Sequence, residues 1–332
     1  MRLTVWSEFL PSARVIADLP ALGAAGVDLN LGVTRCDGLA TCPGVESLDA
    51  AEAVIRAAAT AGVTVRLWPE LPLEEGRWAN VKTLDAFAAW VRQLLSFVRD
   101  RGLPVPAIVF DMETSYQKLQ QIQQYAADGQ LNDLVGFLQA DADPAAYAAA
   151  KDDLRALIDE VKEAGLEAHC STLAQVLDDG SDEGIQRALD IPIDGLPWDR
   201  VSIQVYRTLM DELYATAAHA DGGFTPDLVH SYAVSAVERY GDRAGLDLGL
   251  VAAPGTFTGY DEPAGLLADI AAARAAGVPY GQLNVFALDG LDGRADFASW
   301  LPPDPGAGAA PERARSTDDV RNIFLLLDLA MQ

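Results

Sequence analysis

Ala107-Ile108-Val109-Phe110-Asp111-Met112-Glu113 reads as a buried strand that ends in acid. Its uninterrupted apolar start is what a parallel strand covered on both faces requires. Side chains alternate along a strand, so Asp111 and Glu113 point to the same side. Two carboxyls side by side at a strand tip are costly to keep charged together. One of them tends to hold a proton, the state a general acid needs.

The same unit recurs outward from this stretch. Apolar runs are expected as strands at 3–9, 27–33, 63–67, 107–112, 167–171, 201–206, 248–252 and 283–287. Between them lie stretches of helical period at 12–25, 47–61, 83–101, 144–164, 226–240 and 263–276. Gly26, Gly62, Gly102 and Gly277 each stand just past a helical stretch and just before a strand, where a left-handed cap turns the chain back. Eight such repeats predict a single-domain (β/α)8 TIM barrel spanning 1–332, with its site at the C-terminal strand ends. The segment 114–143 is too long for a simple connection. It contains Gln117–Tyr125 and is expected to be a helical insertion over the catalytic face. A final helix is expected from Ser316, with Asp319 three residues on, burying Ile323, Leu325, Leu326 and Leu329 as the eighth barrel helix.

Asp and Glu number 49 against 24 Lys and Arg, a formal charge of −25. Such a surface repels nucleic acid and anionic membranes, so neither is expected as a partner. No run of about 18 apolar residues suggests a membrane span. Met1–Trp6 reads as a strand with no leader before it, as in a cytoplasmic protein, although a secreted protein in mature form would read the same. Cys36 and Cys42 share one loop-like stretch. Their spacing is not that of a zinc site, and free thiols are favoured over a loop disulfide. No glycine-rich phosphate loop follows strand one, and Ala253-Pro254-Gly255-Thr256 after strand seven is only a short approximation of one. No cofactor is expected.

Polar residues at the strand ends interrupt the apolar pattern, and in a barrel they converge on one cavity. They are Glu8 on strand one, Asn30 on strand two, Arg66, Trp68 and Glu70 on strand three, Asp111 and Glu113 on strand four, His169 on strand five, and Gln204 and Tyr206 on strand six. Trp6 and Trp68 have the flat apolar faces on which sugar CH groups stack. Arg66 with Glu70 could equally be an ion pair inside the barrel, and His169 a hydrogen-bonded core residue.

Asp111-Met112-Glu113 resembles the Asp-x-Glu that family 18 chitinases and related endoglycosidases carry at the end of strand four. The resemblance implies that Glu113 is the general acid, that Asp111 orients the substrate's acetamido group, and that Tyr206 touches the same group. Family 25 lysozyme-like enzymes are also similar, with a further acid on strand one, where Glu8 stands. The chain departs from the family 18 pattern at Pro106 and Val109, where two further aspartates are usual, and at Arg207, where aspartate usually follows the tyrosine.

The leading expectation is therefore a glycosidase acting on an oligo- or polysaccharide. In it Glu113 protonates the leaving oxygen while charged Asp111 holds that proton in place. Asn30, Arg66 and Gln204 bind hydroxyls, Trp6, Trp68 and Tyr206 line the sugar subsites, His169 is a further substrate-binding candidate, and Glu8 or Glu70 is an alternative nucleophile. A second expectation is a metal-dependent sugar isomerase or hydrolase with Glu70, Glu113, His169 and Asp289 as ligands. A third is a barrel that binds carbohydrate without cleaving it. The oligomeric state is left open.

Overall fold

A computed structural model describes residues 2–36, 43–127, 130–180, 182–214, 223–251, 258–294 and 296–331. Eight parallel strands close into a barrel in sequence order. They are β1 (Thr4–Ser7), β2 (Asp28–Thr34), β3 (Val65–Glu70), β4 (Ala107–Met112), β5 (Glu167–Leu173), β6 (Arg200–Val205), β7 (Ala244–Gly249) and β8 (Leu283–Phe286). The β1–β8 ladder, with Thr4 opposite Asn284, completes the ring. The expected (β/α)8 TIM barrel is thus the fold.

The glycine caps act as the sequence suggests. Gly62 follows the helix Leu48–Ala61 at φ 71°, and its N–H bonds back to Ala59. A side chain with a Cβ would be strained in that left-handed conformation. Val63 N–H then reaches Ala58, closing the turn into β3.

Alternation along the strands sorts the core into two parts. One set of side chains, including Leu29, Leu31, Ile108, Phe110, Ile203 and Leu246, packs against the helices in the main core. The other set fills the barrel. Trp6, Trp68, Val109 and Ala287 form a separate buried cluster there, with Phe286 against it. The two indoles meet edge to face with centroids 4.8 Å apart.

Three features differ from expectation. Strand seven begins at Ala244, not Leu248, because a single turn, Gly241–Arg243, joins it to the helix that ends at Tyr240. This brings Asp247 into the barrel. The insertion after β4 holds two helices, Tyr116–Ala127 and Leu131–Asp141. Lys118 pins it through buried bonds to Asp190 (2.8 Å) and Asp141 (2.7 Å). The last helix, Arg315–Met331, is not the eighth barrel helix. It packs on Gly184–Ala188, on the turn after β5 and on Leu131–Asp141, while the short helix Phe297–Trp300 lies beside Ser12–Ala25. Arg321 fixes the last helix with two bonds to Asp178, at 2.8 and 2.6 Å. Val320 and Phe324 are its buried apolar residues, and Ile323, Leu325, Leu326 and Leu329 are exposed. The stripe expected to be buried faces outward because Arg321, Val320, Phe324 and Asp328 take the inner face.

Cys36 is disulfide-bonded, where the sequence favoured a free thiol. It lies just beyond β2, where the chain has left the sheet and a crosslink leaves the barrel undisturbed. Cys42 and Ala253–Thr256 lie outside the described residues. Cys170 is a free, buried thiol. Among the described residues, no helix is long and apolar enough to cross a membrane.

Candidate active site

The strand-four acids meet at the barrel mouth through Gln204. Its side-chain nitrogen donates to Asp111 Oδ1 at 2.9 Å and to Glu113 Oε1 at 2.8 Å, and lies 3.2 Å from Ser171 Oγ. The two carboxyls also hydrogen-bond to each other. Burial, then the charges of Glu113, Glu70 and Asp247, lifts Asp111 well above the usual carboxylate range. Burial also raises Glu113, but the bonds from Gln204 and Asp111 and the charge of Arg77 pull it back. The pair therefore holds one proton, and that proton leans towards the deeper Asp111. The sequence expectation places the proton on Glu113, the less deeply buried carboxyl of the two.

A second pair of carboxyls shares one cation. The Arg77 guanidinium binds Glu70 at 2.9 Å through Nε and also binds Glu8. Thr34 Oγ1 donates to the other Glu70 oxygen at 3.1 Å. Burial raises Glu70 against the pull of Arg77 and Thr34. Burial and the Glu70 charge raise Glu8 well above the usual range, with Arg77 opposing and Asp289 and Glu113 adding. One guanidinium thus faces two carboxyls. Glu70 is the better-compensated member and Glu8 the more readily protonated.

Arg77 was not anticipated from sequence. It sits in the loop after β3 at φ 65°, uncommon for a residue with a Cβ. Leu71 N–H to Arg77 O (2.8 Å) closes this loop on itself, and Ala79 N–H to Asp111 O (3.0 Å) ties it to β4. Asn80 Nδ2 adds a bond to Glu113 O at 3.1 Å. The loop carrying the cation is therefore fastened to the strand carrying the acids. The only available signal was a charged residue in a loop on the catalytic face.

Asp247 was also missed, hidden by the misplaced strand boundary. It is fully buried, accepts from Ser171 Oγ at 2.6 Å, and is also bonded by Asn284. Ser171 links it to Gln204 above. Asp289, expected as a metal ligand, instead accepts the backbone N–H groups of Glu8 (3.1 Å) and Phe9 (2.7 Å), which shapes the loop after β1.

The expected site residues therefore divide. Glu8, Glu70, Asp111, Glu113, Gln204 and Tyr206 are at the mouth. The Tyr206 ring packs against Phe286 with centroids 5.4 Å apart. Arg66 is not there. It bonds Thr4 Oγ1 (3.2 Å) and Asp28 (3.4 Å), residues that open their strands at the opposite end of the barrel. His169 bonds Glu167, the first residue of β5, at 2.7 Å, and is likewise turned away. Burial, with Arg200 and Arg66 nearby, lowers its pKa against the pull of Glu167. Asn30, opposite Trp6 and Arg66 in the ladders, is buried within the barrel. Trp68 is only 2 % exposed and is packing, not an open platform. Both Arg66 and His169 follow the same alternation as the mouth residues; only their position along the strand separates the two ends.

With His169 at the far end, the proposed Glu70, Glu113, His169 and Asp289 ligand set is not assembled. Among the described residues, the carboxyls close enough to hold a cation together are Asp179, Asp182 and Asp328, on the turn after β5 and the last helix.

No protein-family model and no curated protein sequence matches the chain. Solved structures match in fold. The PgaB (BpsB) glycoside hydrolase domain from Bordetella bronchiseptica aligns with a TM-score of 0.54 at 12% identity, over 91% of this chain and 98% of that one. The exo-β-1,4-mannosidase Op5Man5 from Opitutaceae bacterium strain TAV5 aligns at 0.55 and 13%, over 99% of this chain and 59% of that one. The β-glucosidase from Thermotoga maritima aligns at 0.50 and 15%, over 83% of this chain and 77% of that one. At these identities the likeness is one of barrel architecture.

Proposed function

We propose that this barrel hydrolyses glycosidic bonds, with Glu113 as the group that delivers the proton. The observation that carries the reading is the Gln204 bridge, which holds Asp111 and Glu113 as one proton-sharing pair at the C-terminal mouth. Glu113 is the outer member and only partly buried. A glycosidic oxygen seated against it takes a proton from Glu113 as the bond to the anomeric carbon breaks. That proton is the pair's single proton, passed from Asp111 to Glu113 as it is delivered, so both carboxylates are left charged. The two donor bonds from Gln204 and the nearby Arg77 charge stabilise that state. A water molecule then completes the hydrolysis, and its proton restores the pair. Glu70, which accepts from Arg77 and Thr34, brings negative charge to the same mouth, where positive charge develops on the sugar. Tyr206 and Phe286 bring a pair of packed rings to the same mouth. Solved glycoside hydrolases with this barrel architecture support the substrate class.

The test is a panel of oligosaccharides together with aryl glycosides of graded leaving-group ability. On a substrate that is cleaved, Glu113→Gln should lower the rate by about 10² or more when the leaving group is poor, and far less when it is activated. Equal loss on both would remove Glu113 from the acid role.

A further inference from the structure

The loop after β1 presents an aromatic ring that stands outside the hydrophobic core. Phe9 is 52% exposed, yet it is firmly held. Its N–H bonds to Asp289, and Gly44 lies so close that a Cβ there would stand 2.2 Å from Glu8 O. The Arg77 guanidinium lies 5.2 Å from the centre of the Phe9 ring and 5.6 Å from that of Trp78. Trp78 in turn meets Tyr116, with centroids 6.1 Å apart. A strip of partly exposed rings therefore runs along the β1, β3 and β4 side of the mouth, beside the acids. Arg77 spends Nε and one terminal nitrogen on Glu70 and Glu8. Its other terminal nitrogen makes no hydrogen bond to protein among the described residues.

We propose that Phe9, Trp78 and Arg77 form a second sugar subsite, which binds an uncharged pyranose ring one position away from the bond at Glu113. An aromatic face takes the CH side of a sugar, and a guanidinium N–H takes a hydroxyl. The two features meet here, Phe9 on the loop after β1 and Arg77 with Trp78 on the loop fastened to β4. The inference rests on the glycosidase reading for its neighbouring position and extends it: the substrate is an oligosaccharide of at least two rings.

The test measures binding by calorimetry on the full chain carrying Glu113→Gln, so that no probe is consumed. The probes are the β-1,4-linked tetrasaccharides of glucose, mannose and N-acetylglucosamine, each beside its monosaccharide. One tetrasaccharide is expected to bind at least tenfold tighter than its monosaccharide. Adding Phe9→Ala should weaken that tetrasaccharide by about 2- to 10-fold, the scale of one aromatic contact, and Phe9→Trp should retain it. Phe9 is exposed, so these variants leave the core untouched. Binding that ignores Phe9→Ala, or no binding of any tetrasaccharide, overturns the subsite. Cleavage of 4-nitrophenyl monosaccharides by the unmodified chain reports on the catalytic reading separately. Cleavage without Phe9-dependent binding leaves the hydrolase and removes the subsite. Phe9-dependent binding without cleavage of any probe leaves the subsite and removes the hydrolase.

Discussion

Gln204→Leu tests whether the strand-four acids share a proton. The substitution roughly keeps the side-chain volume and removes the donor that lies 2.9 Å from Asp111 and 2.8 Å from Glu113. Where the pair carries one proton, one of these bonds goes to a charged group, worth about 1.5–3 kcal/mol net, and the other to a neutral one, worth about 0.5–1.5 kcal/mol. Where the pair is fully protonated, both are of the weaker kind. Urea unfolding should therefore show a loss roughly 1 kcal/mol larger at pH 8 than at pH 4.5. The sign follows from linkage. Both carboxyls are raised in the fold, so their stabilising contribution is complete below the unfolded carboxylate pKa and is lost as pH rises through the folded values. Gln204 favours the charged form of Glu113. Removing it raises the pair further and steepens that loss. On a cleaved substrate, the pH–rate limb set by the pair should move to higher pH. An equal loss of stability at both pH values would refute the shared proton.

Four further outcomes are expected. Arg77→Met leaves Glu8 and Glu70 without their cation and should cost about 3–5 kcal/mol in chemical unfolding at neutral pH, less in acid, where both carboxyls are protonated. Trp68→Ala should destabilise by roughly 3–5 kcal/mol in the same assay, because the indole is packed inside the barrel. Leu326→Glu and Leu329→Glu, at positions 65% and 64% exposed, should each stay within about 0.5 kcal/mol of wild type in thermal melts, which would refute a buried role for that stripe. Asp179 is pushed up to about 6, mainly by burial and also by a hydrogen bond to Asp328, which costs the folded state at most about 3 kcal/mol at neutral pH. Asp328→Asn puts an amide donor beside Asp179, so stability should fall less steeply between pH 4 and pH 7, as read by urea midpoints.

The barrel was legible because its signals are local. A helical stretch, a glycine cap and a β-branched run lie within some thirty residues, and closure of the sheet follows from repeating them. Asp111, Glu113 and Gln204 were legible for the same reason: each is a polar interruption near the end of an apolar strand. Arg66 and His169 were misplaced because alternation gives the face of a strand but not the height along it. Height depends on where each strand enters and leaves the barrel, and two residues of difference carry a side chain from the mouth towards the floor. Asp247 shows the same dependence: with β7 started at Leu248, its carboxyl falls outside the strand. Arg77 lay beyond any periodic reading. Its position depends on a left-handed residue and on bonds from Ala79 and Asn80 to β4, contacts between segments more than thirty residues apart. The last helix failed differently. Its apolar stripe suggested a buried face, yet Arg321 on Asp178, with Ser231 and Ser235, orients it so that polar anchoring decides which side docks. The strands thus supply the acids in a way the sequence announces, while the loops supply the cation and the aromatic strip that tune them. A substitution in the loop after β3 should therefore alter the chemistry of the mouth as strongly as one in β4, although only the strand declares itself in the sequence.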